Sequence, residues 1–272
     1  MQQFLISPRT MAASLWHNRD LTKALIKREV VGRYRGSLLG LLWSFFNPVF
    51  MLTVYTFVFS YVFKARWNVG SESKTEFALV LFVGLFIFNF FAECINRAPT
   101  LIITNVNYVK KVVFPLETLA VISLGSAMFH MLVTLIVWFA FYCILFGLPQ
   151  PTAALLPLVL LPLVLITLGL SWLLTSLGVY LRDVVQVVGI LTTTLMFLSP
   201  IFYPISALPP AYQRLLFLNP LTTVIEQARD VLIWGKMPNW IYWTIYLGAS
   251  FLVAWLGFAW FQKTRKGFAD VL

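Results

Sequence analysis

From Leu38 to Phe63 the chain carries no charged side chain, and runs of similar character recur at Phe77 to Arg97 and Leu116 to Phe146. A bilayer's hydrocarbon core of roughly 30 Å is crossed by about 20 mostly apolar residues in helical form. Stretches this long fit a membrane better than the core of a soluble domain. In lipid every backbone polar group must find an internal partner, which a helix provides within itself. Further candidate spans lead from the uncharged turn Gly147 to Thr152 to about Tyr180, from Val184 to Phe202, and from Ile241 to Phe261. The sequence therefore predicts an all-α integral membrane protein with six transmembrane helices.

Composition agrees. The 272 residues are 60% hydrophobic and 11% charged, well outside the balance of an ordinary soluble domain. The formal net charge of +10 sits in short segments between apolar runs, seven Lys and Arg before Ser37 and three after Gln262. That is the pattern of cytoplasmic loops under the positive-inside rule, so the charge reads as topology and no nucleic-acid partner is expected. Both termini are expected in the cytoplasm. Residues 1–36 form a basic N-terminal segment without a signal-peptide core, residues 37–262 the transmembrane domain and residues 263–272 a basic tail. Cys94 and Cys143 lie inside apolar runs without ligand spacing and are expected to be packing residues.

Two stretches interrupt the spans. Residues 98–115 are polar enough to leave the membrane and carry Lys110 and Lys111. The apolar segment Tyr203 to Asn239 is broken by five prolines, among them Pro210 and Pro220. Asn219 is a good N-cap with Pro220 at the first helical position, which predicts a short helix to about Trp234, preceded by another from Pro210 to Leu218. Two half-length helices in succession predict a re-entrant hairpin, tolerable in a membrane only where protein or a cavity covers it. Pro48 inside the first span predicts a kink.

Catalytic chemistry is sparse. There is no GxxxxGK[ST] phosphate loop, no HExxH and no GxSxG, and only two histidines, His17 and His130. His130 in the third span reads as an interhelical hydrogen-bonding residue ahead of a proton relay. Glu93 and Arg97, four apart, read as a pair along one helix face, and Glu226 with Arg229 and Asp230 as a second, structural group at a pore mouth. In the first span Trp43, Phe46, Phe50, Phe57 and Tyr61 fall close to one face. They face lipid or packing partners, or they line a channel in which rings stack on sugars; the residues alone leave both open. A membrane transferase acting on lipid-linked sugars would need positioned carboxylates or histidines, which the scattered acidic residues do not supply.

Several phrases occur together: "YRGSLLGLLWSFFNP" (Tyr34 to Pro48), "NYVKKVVFPLE" (Asn107 to Glu117), "YLRDV" (Tyr180 to Val184), "SPIFYP" (Ser199 to Pro204), "NPLT" (Asn219 to Thr222) and "GFADVL" (Gly267 to Leu272). In this order the chain resembles the membrane subunit of ABC-2 type polysaccharide exporters, most of all O-antigen permeases, with capsule and teichoic acid permeases as relatives. The resemblance implies a permease and no enzyme: a homodimer in the bacterial inner membrane, served by two copies of a separate ATPase that binds ATP and Mg, moving an undecaprenyl-diphosphate-linked glycan. It further implies an amphipathic interface helix in the N-terminal segment, although Arg19 and Arg33 intrude on the face of Leu15, Leu25 and Ile26. Asn105, Asn107, Tyr108, Lys110 and Lys111 would belong to a coupling helix near residues 105–112 that docks on the ATPase. Pro210, Tyr212, Asn219, Pro220, Glu226 and Arg229 would belong to external gate helices. Arg33 and Arg35 would stand where the lipid pyrophosphate approaches, or anchor the helix to anionic lipid.

Overall fold

A computed structural model describes residues 7–58, 74–110 and 113–272. Tyr61 and Lys111 lie outside the described residues. Among those described every regular element is helical. Two helices precede the membrane domain, α1 (Pro8–His17) and α2 (Arg19–Arg33), where one was expected; they join at Asn18. The spans follow as α3 (Trp43–Tyr55), α4 (Lys74–Arg97), α6 (Thr118–Phe146), α7 (Leu156–Tyr180) and α11 (Trp240–Thr264). The short α5 (Val106–Lys110) joins α4 to α6; α8 (Val184–Leu198), α9 (Pro210–Leu216) and α10 (Pro220–Arg229) separate α7 from α11; α12 (Phe268–Val271) ends the chain.

Five segments are long and apolar enough to cross a bilayer: Gly40–Val58, Glu76–Thr100, Thr118–Phe146, Pro151–Tyr180 and Trp240–Val271. The fifth of the six expected spans is shorter. Helix α8 has 15 residues, about 22 Å at 1.5 Å per residue, and stops where Ser199 turns extended (φ −92°, ψ 149°). Ser199 precedes Pro200, whose ring disfavours helical backbone in the residue before it. The expected helix to Phe202 is therefore cut four residues short.

Helix α4 forms the centre of the bundle. Phe77 to Phe88 is buried without a break; α6, α7, α8 and α10 pack on it, and α11 packs on α7. Helices α7 and α11 cross closely at Gly169 and Gly257: a Cβ on Gly257 would lie 2.1 Å from the Gly169 carbonyl oxygen. Small residues let backbones approach in this way where the hydrophobic effect supplies little attraction between helices. Buried Trp138 and Trp172 donate their indole N–H groups to the Leu79 and Glu117 carbonyls, at 3.1 and 2.9 Å, so neither leaves an unmet donor.

At one end of the bundle, the charged end, α1, α2, α5 and the C-terminal segment meet. Glu117 accepts from Ser14 Oγ (2.7 Å) and from Arg265 Nη1 (2.8 Å), and Arg265 also donates to the Phe114 carbonyl at 3.1 Å. Phe268 is fully buried beneath Tyr180, whose hydroxyl donates to the Thr264 carbonyl at 2.8 Å. At the far end lie the turn near Gly147 and the short helices α9 and α10, and the Thr152 hydroxyl donates to Val231 O, just past α10, at 2.7 Å.

Candidate functional site

Helix α2 docks on α6 and α4 through one stripe, Ile26, Glu29 and Arg33. Ile26 fills the space over Gly125, where a Cβ would come within 2.3 Å of its Cδ1. Arg97 donates to Glu29, and Arg33 donates to Glu93. The arginine that disturbs the amphipathic pattern of α2 thus has its partner inside the bundle. Glu93 also lies 3.7 Å from Arg97 Nη1, the expected one-turn pair, and its Oε2 lies 3.2 Å from His130 Nδ1. That ring nitrogen is also 3.0 Å from Arg33 Nη1: without a hydrogen it accepts from Arg33, and with one it donates to Glu93. His130 is therefore an interhelical hydrogen-bonding residue, with its carboxylate on α4. Tyr34, edge-on to the imidazole at 6.2 Å, has its pKa raised by burial, with Glu93 adding to the shift and Arg33 opposing it. Arg35, two residues on, is exposed and makes none of these contacts.

These residues wall a cavity of about 600 Å3 between α3, α4 and α6. Trp43, Ser44 and Asn47 enter it from α3; Asn89, Glu93 and Asn96 from α4; His130 and Thr134 from α6. A second cavity of about 360 Å3 lies under α2, beside Arg28, Glu29, Arg97 and Tyr108.

The segment expected to couple to an ATPase is held against α2. Arg28 donates to the Tyr108 hydroxyl at 2.8 Å, and Tyr108 stacks on Phe114 with centroids 4.3 Å apart. Asn105 is half-buried and donates to the Leu101 carbonyl at 2.9 Å, whereas Asn107 and Lys110 are exposed. Tyr108 therefore serves as the brace and Lys110 as the presented charge.

The hairpin is two unlike pieces. In α9, Pro210 and Tyr212 are exposed. In α10 the expected cap forms, with Asn219 Oδ1 accepting from Leu221 N at 3.0 Å while its amide donates to Ser199 Oγ at 2.8 Å. The helix continues through a wider turn, Asp230–Trp234, to the residue expected from sequence. Arg229 is 1% exposed and donates to the carbonyls of Val80 (3.1 Å), Pro200 (2.6 Å) and Ile201 (3.1 Å) and to Glu226 (2.8 Å). Burial pulls its pKa down, against the pull of Glu226. Burial raises the pKa of Glu226 in turn, with Arg229 opposing. Arg229 is a clasp between α10, α4 and the end of α8.

The aromatic face of α3 is open. Trp43, Phe46, Phe50 and Phe57 are each about half exposed or more, and only Trp43 reaches the large cavity. Sequence reasoning missed Asn47, Asn89 and Asn96, whose signal is a lone amide in an apolar run, and the Ser14–Glu117–Arg265 link, which has no local signal.

The family model for the ABC-2 type transporter matches residues 20–233, from the start of α2 through the hairpin. The chain belongs to the ABC-2 type transporter family. Similar proteins include an O-antigen export system permease protein RfbA of Klebsiella pneumoniae, 26% identical over 96% of this chain and 98% of that protein. The Myxococcus xanthus permease of the same name is 26% identical with the same coverage. The polysialic acid transport protein KpsM of Escherichia coli is 27% identical over 94% of this chain and 98% of its own length. With its spanning helices, this ABC-2 family member is a multi-pass membrane protein.

Proposed function

We propose that this chain is the membrane subunit of an ATP-driven exporter that moves an undecaprenyl-diphosphate-linked O-antigen across the bacterial inner membrane. The observation that carries this reading is similarity to O-antigen permeases along nearly the whole of both chains. Two copies of the chain form the path, and two copies of a separate ATPase hold ATP and Mg. The charged end faces the cytoplasm, since it gathers most of the Lys and Arg. Helix α8, extended by residues 199–204, counts as a sixth crossing. The segment 105–112 docks on the ATPase through Lys110 and Lys111, and helices α9 and α10 gate the outer mouth. With Arg33 paired to Glu93, Arg35 is the guanidinium left to meet the lipid pyrophosphate.

A second reading, export of a capsular polysaccharide, is favoured by the polysialic acid transport relatives at similar identity and coverage. Deleting the gene and quantifying polyprenyl-linked glycan inside the cell beside surface polymer tests both. Accumulation inside with loss outside is expected, and the accumulated glycan separates O-antigen from capsule; unchanged levels of both overturn the exporter reading. Replacing Lys110 and Lys111 by Glu is expected to abolish ATPase co-purification while leaving the chain folded. Normal co-purification and turnover would remove the coupling role of α5.

A further inference from the structure

The cavity between α3, α4 and α6 is lined by polar side chains along three helices whose other faces are apolar. On α4, Asn89 is the one exposed residue between Phe77 and Phe91. Glu93 and Asn96 continue its stripe at helical spacing, and Asn47 on α3 and Thr134 on α6 face them across the space. Among the described residues the amides of Asn47 and Asn89 have no hydrogen-bond partner, and Asn96 uses only its carbonyl oxygen, accepting from Thr192 at 2.9 Å. Polar side chains in membrane-spanning helices are costly without partners and mark functional sites by default.

The charges decide what kind of ligand fits. In the wall Arg33 is matched by Glu93, one cation against one anion, so it offers a phosphate little net attraction. Side-chain amides offer donor and acceptor together, as vicinal hydroxyls do. Trp43, about half exposed at the mouth, supplies an aromatic face for apolar C–H groups. A volume of about 600 Å3 lies within the roughly 300–1,000 Å3 typical of ligand sites.

We infer that this cavity binds an uncharged sugar ring, with Trp43 as the stacking surface and Asn47 and Asn89 as hydroxyl partners. Resting on the exporter reading, it gives the glycan a place to engage the permease apart from its pyrophosphate. Arg33 here is a positioning residue that holds Glu93 at the wall.

The test uses the full chain in lipid nanodiscs free of glycoside detergent. Saturation-transfer NMR is recorded with the methyl glycosides of glucose, galactose, mannose, rhamnose and N-acetylglucosamine, and sodium pyrophosphate is added as competitor. At least one glycoside is expected to receive saturation and to keep it when pyrophosphate is present. Asn89→Leu and Trp43→Ala are each expected to weaken binding about five- to tenfold, the size of one lost hydrogen bond or stacking contact. Asn89→Leu adds apolar surface at an exposed helix position, and Asn47→Leu on another helix repeats the test; an unchanged melting temperature certifies each fold. No transfer to any glycoside, wild-type binding by both Asn variants, or displacement by pyrophosphate would overturn the inference. Binding is read without transport, so its failure is distinct from that of the exporter reading. Sugar binding absent with export lost on deletion removes the sugar site alone; sugar binding present with export unaffected by deletion removes the exporter alone.

Discussion

Helices α3 and α4 are both apolar and both long enough to cross a bilayer, yet 89% of the spanning window in Glu76–Thr100 is buried and only 11% of that in Gly40–Val58. The buried span is also the more apolar of the two, but lipid is as apolar as a helix core, so hydropathy alone does not send a helix to the centre. What separates them is the polar residues. Helix α4 directs Glu93 and Arg97 at partners on other helices, and its carbonyl at Val80 accepts from Arg229. Helix α3 is anchored chiefly at Ser44 and Leu52 and leaves its aromatic side open. A buried helix can be fixed by a few specific bonds; an open one awaits lipid, a second copy or a passing ligand.

The contrast breaks hardest at Arg229. Arg229→Met leaves the carbonyls of Val80, Pro200 and Ile201 without their shared donor and is expected to destabilise the chain by about 3–5 kcal/mol, read as lost thermal stability and expression. A melting temperature near wild type would show that α10 is not clasped to α4. Next is Glu93→Gln, expected to cost about 1–2 kcal/mol, because Arg33 and Arg97 are each about one-third exposed and water covers part of the loss. Combined with Arg33→Gln, the two effects should fall short of their sum; full additivity would remove the pair as the link between α2 and α4. Smallest in stability is Phe50→Ala on the open face of α3, expected within about 0.5 kcal/mol of wild type. It is expected to lower surface polymer if the face lines the path, and unchanged polymer would assign that face to lipid.

Local features were legible. The Asn219-Pro220 cap formed as the residue types require, and four spans begin and end within a few residues of their expected bounds. The end of span five was misread because hydropathy continues smoothly through Ser199-Pro200 while helical backbone does not. The candidate site was half legible. Glu93 and Arg97 were visible as a one-turn pair and His130 as an interhelical residue, but its partner was not, because Glu93 is on another helix, 37 residues away. Arg229 was placed in the hairpin by its neighbours, and nothing nearby announced that three distant carbonyls would surround it.

The sequence by itself determined the solvent, the all-helical class, the charge bias between the helix ends and the start of α10, because each depends on residues within one or two turns of one another. Tertiary structure alone decided which apolar helix became the centre, that Arg33 faces Glu93 across 60 residues and that Arg265 reaches Glu117 across 148. Those pairings depend on how helices lie beside one another. Between helices in lipid the hydrophobic effect supplies little attraction, so steric fit at small residues such as Gly169 and Gly257, together with a few polar contacts, sets the arrangement.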